Sequence, residues 1–64
     1  MEQFFLILDM THGVYYNPKA IEMRMSDSEW VEDFNHAFFF REREAAEHLL
    51  SITDSDSVMR IVDI

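Results

Sequence analysis

Three histidines, thirteen acidic residues and no cysteine are the raw material for chemistry in this 64-residue chain. A metal site needs histidine or carboxylate ligands that converge, often two on one helix face. Glu44 and His48 stand four residues apart in a stretch of helical pattern, the spacing of a two-ligand surface clip. His12 falls in a turn and His36 at a junction, so the pattern supplies no third ligand. A helix-side contact between Glu44 and His48 explains the same spacing. The expectation is no bound metal and no cofactor.

Thr53-Asp54-Ser55-Asp56-Ser57 sets two carboxylates at i and i+2, as calcium loops begin. Such loops need glycine at the sixth position, where this chain has Met59. A solvated turn is expected there instead. General acid–base work needs a pair of carboxylates whose environments separate their pKa values, and no pair here is privileged. The single glycine rules out a phosphate-cradling glycine loop and a glycine-flanked serine elbow. Enzymatic activity is therefore not expected.

The acids around Trp30 are the more informative group. Asp27, Glu29, Glu32 and Asp33 surround it, and no Lys or Arg occurs from Asp27 to Asn35. Residues 26 to 64 hold ten acids against Arg41, Arg43 and Arg60, a net of −7, whereas residues 1 to 25 carry −1. A total of −8 repels phosphate backbones and anionic membranes and favours basic protein surfaces. Acids in a row can stand in for phosphates in a basic groove. The expected protein-binding residues are Asp27, Glu29, Trp30, Glu32, Asp33, Glu44 and Glu47. Two blander accounts compete: acidic surfaces keep small proteins in solution, and a tryptophan spaced with Val31 and Phe34 packs into a core with its indole edge exposed.

The elements that must position these residues follow from periodicity. Phe4–Leu8 is a short apolar run, read as a strand with Phe4, Leu6 and Leu8 on one face and Phe5 and Ile7 on the other. Apolar residues on both faces mark a central strand. Thr11-His12-Gly13 supplies a turn, and Val14-Tyr15-Tyr16 the returning strand, ended by Asn17-Pro18. Ile21, Met23 and Met25 alternate with Ala20, Glu22 and Arg24, which favours a further strand, although these are also helix formers. Ser26-Asp27-Ser28-Glu29 has the form of a capping box and predicts a short helical turn near 27–35. Phe38-Phe39-Phe40 reads as a buried strand-like entry. Glu42 to Ser51 reads as the main helix, with Ala45, Ala46, Leu49 and Leu50 on one face. Val58–Ile64 closes the chain as a strand whose Val58, Arg60, Val62 and Ile64 oppose Met59 and Ile61.

The run Trp30, Ala37, Phe39 or Phe40, Glu44-Ala45, Leu49 and Ile61-Val62 resembles a loose class of small α+β proteins abundant in bacteriophage genomes. The resemblance covers roughly residues 28 to 63. It departs at the helix start, where Arg41 sits near the serine or threonine usual in that class. It implies phage origin and a compact sheet crossed by one helix. Small phage inhibitors of host enzymes and defence complexes often work through an acidic face, so it also implies a host-protein target.

The combined expectation is one α+β domain over residues 1–64: an antiparallel sheet of three or four strands packed against a helix at about 42–51. The apolar run of Phe4–Leu8 is broken by Asp9 and lacks a basic flank, unlike a signal peptide. No segment approaches the ~20 apolar residues of a membrane span. A cytoplasmic, non-enzymatic binder of a basic host protein is the leading reading, with direct contact to neither nucleic acid nor membrane. The alternative is an assembly module that forms a homodimer or larger oligomer through aromatic surface, with Phe5, Tyr15, Tyr16 or Phe38 at the interface.

Overall fold

Burial on both sides makes Phe5–Asp9 the central strand, β1, of the computed structural model, which describes residues 3–53 and 57–64. β2 (Val14–Tyr16) and β4 (Met59–Asp63) flank it, and β3 (Trp30–Val31) lies outside β2. The order is β3-β2-β1-β4, with every neighbouring pair antiparallel. One helix, α1 (Arg43–Ile52), and one 3-10 turn (Phe34–His36) complete the α+β fold.

The β1–β2 hairpin closes over Met10–Gly13. Gly13 sits at φ +67°, a left-handed conformation that is cheap for glycine, and its N–H donates to the Asp9 carbonyl at 2.8 Å. β4 runs the full length of β1, pairing Phe5 with Asp63 and Asp9 with Met59. The ladder continues beyond both ends, with Phe4 and Ile64 exchanging backbone hydrogen bonds and the Met10 N–H donating to the Val58 carbonyl.

The expected strand at Ala20–Met25 does not form. Asn17 acts as a helix N-cap instead: its side-chain oxygen accepts from the Lys19 N–H at 2.9 Å, with Pro18 in the first helical position. One helical turn follows. It is closed by Met25 N–H to the Ala20 carbonyl and Arg24 N–H to the Ile21 carbonyl, a Schellman arrangement with Arg24 at φ 58°. Ala20 is fully buried while Ile21 and Met23 point outward. The helix-forming composition outweighs the two-residue alternation.

The helical turn expected near 27–35 is also displaced. Ser26 and Ser28 spend their hydroxyls on local turns, accepting from the Ser28 and Trp30 N–H groups respectively. Glu29 reaches the Tyr16 hydroxyl, so no capping box forms with Ser26. Trp30 and Val31 then pair with Tyr16 and Tyr15 as β3. Aromatic and β-branched side chains suit that strand better than a helix. The 3-10 turn starts later, capped by Asp33, whose carboxylate accepts from the Asn35 N–H at 2.9 Å.

Phe38–Phe40 is extended. Phe40 exchanges two backbone hydrogen bonds with Phe5, and Phe38 donates to the Tyr16 carbonyl, so this segment borders β1 where β2 has ended. α1 begins one residue later than expected. Its N-cap, Glu42, makes no side-chain hydrogen bond, whereas Thr53 closes the other end by donating its hydroxyl to the Leu49 carbonyl. Ala46 is fully buried and Leu49 and Leu50 are half-buried, but Ala45 is exposed, contrary to expectation.

The register divides the sheet into two faces, because directly paired residues share a side. Phe5, Ile7, Asp9, Val14, Tyr16, Trp30, Met59, Ile61 and Asp63 share one. α1 covers it, packing on β1 and β4. Arg43 reaches Asp63 there at 3.2 Å, and Leu49 and Ile52 border the same hollow as Tyr16 and Trp30. Phe4, Leu6, Leu8, Tyr15, Val31, Arg60, Val62 and Ile64 share the other, which α1 does not cover and where the 3-10 turn packs on β2, Phe34 against Tyr15.

Candidate protein-binding site

Asn17 organises the end of the molecule where the acids gather. It is buried, donates its amide to the His36 carbonyl at 2.7 Å, and its backbone N–H reaches the Glu29 carbonyl at 2.8 Å. One residue thereby ties the helical turn, β3 and the 3-10 turn together. Asp27, Glu29, Glu32 and Asp33 project from this frame and are all exposed, with Trp30 half-buried among them. Trp30 packs edge-on against Tyr16 with ring centroids 5.5 Å apart. Burial and the adjacent Glu29 carboxylate push the Tyr16 hydroxyl pKa up. None of these four acids has a basic partner within ion-pair distance among the described residues.

An open trough of about 1240 Å³ runs along this end, with Arg24, Asp27, Trp30, Glu32, Asp33 and His36 among its lining residues. Drug-sized ligands sit in clefts of roughly 300–1,000 Å³ that enclose most of their surface. This trough is wide and largely unroofed, a shape that suits a protruding polypeptide better than a small molecule.

Glu44 and Glu47 lie elsewhere. Glu47 is paired with Arg43 at 3.1 Å, and Arg43 also holds Asp63 on β4, the sheet edge opposite β3. The seven candidate residues thus fall into two groups. Asp27, Glu29, Trp30, Glu32 and Asp33 stay together at the β3 end, whereas Glu44 and Glu47 sit on the exposed side of α1 and do not extend that run. The Trp30 reading is met halfway, since the ring packs on Tyr16 and keeps an exposed side.

One constellation escapes sequence reasoning. Asp9 is 5% exposed and its carboxylate accepts from the Thr11 and His12 N–H groups and contacts His12 Nδ1 at 2.9 Å. Ser57 Oγ lies 3.2 Å from that same Nδ1. Burial alone would raise the Asp9 pKa, but the hydrogen bonds from His12 and Thr11 and the nearby imidazole outweigh it and hold the carboxyl below its ordinary value. A serine–histidine–aspartate relay needs the carboxylate on one ring nitrogen and the nucleophile on the other. Here both converge on Nδ1. The cluster instead clamps the hairpin to the start of β4, where the Val58 N–H donates to the Thr11 hydroxyl at 2.9 Å. Its signal is the Asp-x-x-His spacing of a turn, and the 45-residue separation of His12 from Ser57 hides the rest.

Among the described residues, no group of three or more His, Asp or Glu side chains is placed to hold a metal ion. Glu44 and His48 are both exposed on α1. Asp54 and Asp56 lie outside the described residues. No described helix is long and apolar enough to cross a membrane. No protein-family model, no curated protein and no solved structure matches this chain.

Proposed function

We propose that this is a non-enzymatic, cytoplasmic binding protein whose β3 end receives a basic surface of another protein. The observation that carries this reading is the set of exposed carboxylates of Asp27, Glu29, Glu32 and Asp33 around Trp30, none of them ion-paired among the described residues, with Asp27, Glu32 and Asp33 lining an open trough. Carboxylates already held by Arg or Lys would have to give up those partners on binding. None of these four has such a partner to give up among the described residues: Glu29 accepts from the Tyr16 hydroxyl and Asp33 from the Asn35 N–H, both neutral donors, so a basic partner meets carboxylates whose charge is not already neutralised. Trp30 supplies an apolar anchor beside them, the kind of residue on which interface energy concentrates. The resemblance to small phage proteins makes the partner a host protein, for example a defence or nucleic-acid-handling factor whose basic groove the acids fill.

The test is capture of the tagged full chain with bacterial lysate, followed by affinity measurement on the protein recovered. The expected partner is basic, and its affinity falls on the order of tenfold or more as salt rises from low to physiological ionic strength, because exposed charges are screened within about 8 Å. D27N/E32Q/D33N should lose the same affinity at low salt, while E44Q/E47Q should keep it. Binding indifferent to salt, or equally weakened by E44Q/E47Q, contradicts the proposal.

A further inference from the structure

We infer that the helix-free face of the sheet is an interface between two copies of this chain. The face is largely apolar. The register sets Phe4, Leu6, Leu8, Tyr15, Val62 and Ile64 on it. Rings from outside the strands extend it: Phe34 meets Tyr15 edge-on at 5.6 Å, and Phe39 contacts Phe34 at 6.1 Å and Phe4 at 6.4 Å. The ladder extensions add Met10 and Val58.

Five of the eight exposed large apolar side chains among the described residues belong here: Met10 50%, Phe34 41%, Phe39 38%, Val58 62% and Ile64 46%. A contiguous apolar patch of this kind marks a contact surface, whereas scattered exposed leucines and valines do not.

Charge and area choose the occupant. This chain has thirteen acids and a net charge of −8, yet the paired strand positions on this face carry one charge, and it is positive: Arg60. Two copies can therefore bring these strand positions together without apposing carboxylates. Arg60 lies on the edge strand β4, where a long side chain lays its stem on apolar surface and keeps its guanidinium in water. A basic partner would find its attraction elsewhere on the molecule, at the acids this face lacks.

The molecule measures 32 × 26 × 17 Å, and the thin axis fits one sheet plus one helix layer. The whole broad side, of which this face is part, is bounded by 32 × 26 Å, the scale of the ~800 Å² that each partner gives to a stable interface. Two such faces stacked ~10 Å apart would form an ordinary β-sandwich core. The need is also present, because among the described residues the large side chains buried completely are Leu6 and Ile7. Domains of this length without disulfides often obtain the remainder of their core by association.

Sedimentation equilibrium of the full chain tests the inference, read together with far-ultraviolet circular dichroism. Wild type should rise with concentration from 7.7 kDa towards twice that mass. Phe39→Glu should stay at the lower mass with an unchanged spectrum, and Ile64→Glu at the rim should weaken association at least tenfold. Ile52→Glu, on the helix side, should dimerise like wild type. A monomer at all concentrations, or a folded Phe39→Glu or Ile64→Glu that still dimerises normally, overturns it. So does a monomer that captures a different apolar protein through this face. D27N/E32Q/D33N must leave the dimer intact, which separates failure here from failure of the acidic-end proposal.

Discussion

The two faces of the central strand bury neighbouring residues equally well by different means. Ile7 is 1% exposed beneath a helix; Leu6 is 0% exposed on the side that has none. On the first side a rigid element with its own backbone hydrogen bonds does the covering, anchored by fully buried Ala46, with the exposed Arg43–Asp63 pair at its edge. On the second, Phe34, Phe39 and Phe4 form a lid of rings whose outer surfaces remain in water. A chain this short makes one helix long enough to cover a sheet. Aromatic side chains from a 3-10 turn and an extended segment then do on the other face what a second helix would do, and they leave that face adhesive.

The difference can be broken most severely on the helix side. Ala46→Glu should cost about 4 kcal/mol or more, because it forces a charge into a fully closed contact. That approaches the whole stability of a small domain. Thermal melts should show it unfolded or nearly so, whereas Phe39→Glu keeps a cooperative transition. Ile7→Ala should lose about 2–4 kcal/mol through transfer and cavity terms, read from urea titration.

Asp9 sharpens the contrast, since it is the buried carboxylate of the helix-bearing face. Asp9→Asn should cost about 1.5–3 kcal/mol, the range for hydrogen bonds that involve a charged group. Its folded pKa lies below the unfolded value of 3.8, so its contribution is present above that value and disappears as pH falls through the lower, folded one. Acid titration of Asp9→Asn should lack this component while the wild type shows it. At the small end, Phe39→Ala should cost the monomer about 1 kcal/mol, since the ring is already 38% exposed, and Glu47→Gln less than about 0.5 kcal/mol, as exposed ion pairs contribute little.

How much of this is legible in the residues depends on the range of the interactions involved. Phe4–Leu8, the Gly13 hairpin and the helix after Arg43 can be read because their signals are local and agree with one another. Ile21, Met23 and Met25 mislead. Their alternation is real, but Asn17-Pro18 is an N-cap and first helical residue, which turns the following segment helical. Ser26-x-x-Glu29 misleads in the opposite direction, because its hydroxyl and carboxylate find other partners: the Ser28 N–H and the Tyr16 hydroxyl. The grouping of Asp27, Glu29, Glu32 and Asp33 is visible from spacing, whereas the separation of Glu47 from them depends on strand order. The ring-covered face is hidden for the same reason. Tyr15, Phe34, Phe39 and Phe4 span the chain from residue 4 to residue 39, and only the order β3-β2-β1-β4 brings them onto one surface. Of the aromatics expected at an interface, Tyr15 lies on that surface, while Phe5 and Tyr16 lie on the helix side. Phe38 packs against Phe40 at 4.8 Å.

The most direct measurement is an isotope-filtered nuclear Overhauser experiment on an equal mixture of labelled and unlabelled chains at high concentration. Contacts between copies should connect Phe34, Phe39 and Tyr15 with Val62 and Ile64, fade on dilution, and spare Leu49 and Ile52. Contacts between copies that arise from the α1 side, or none at a concentration where the mass is that of a dimer, would contradict the account.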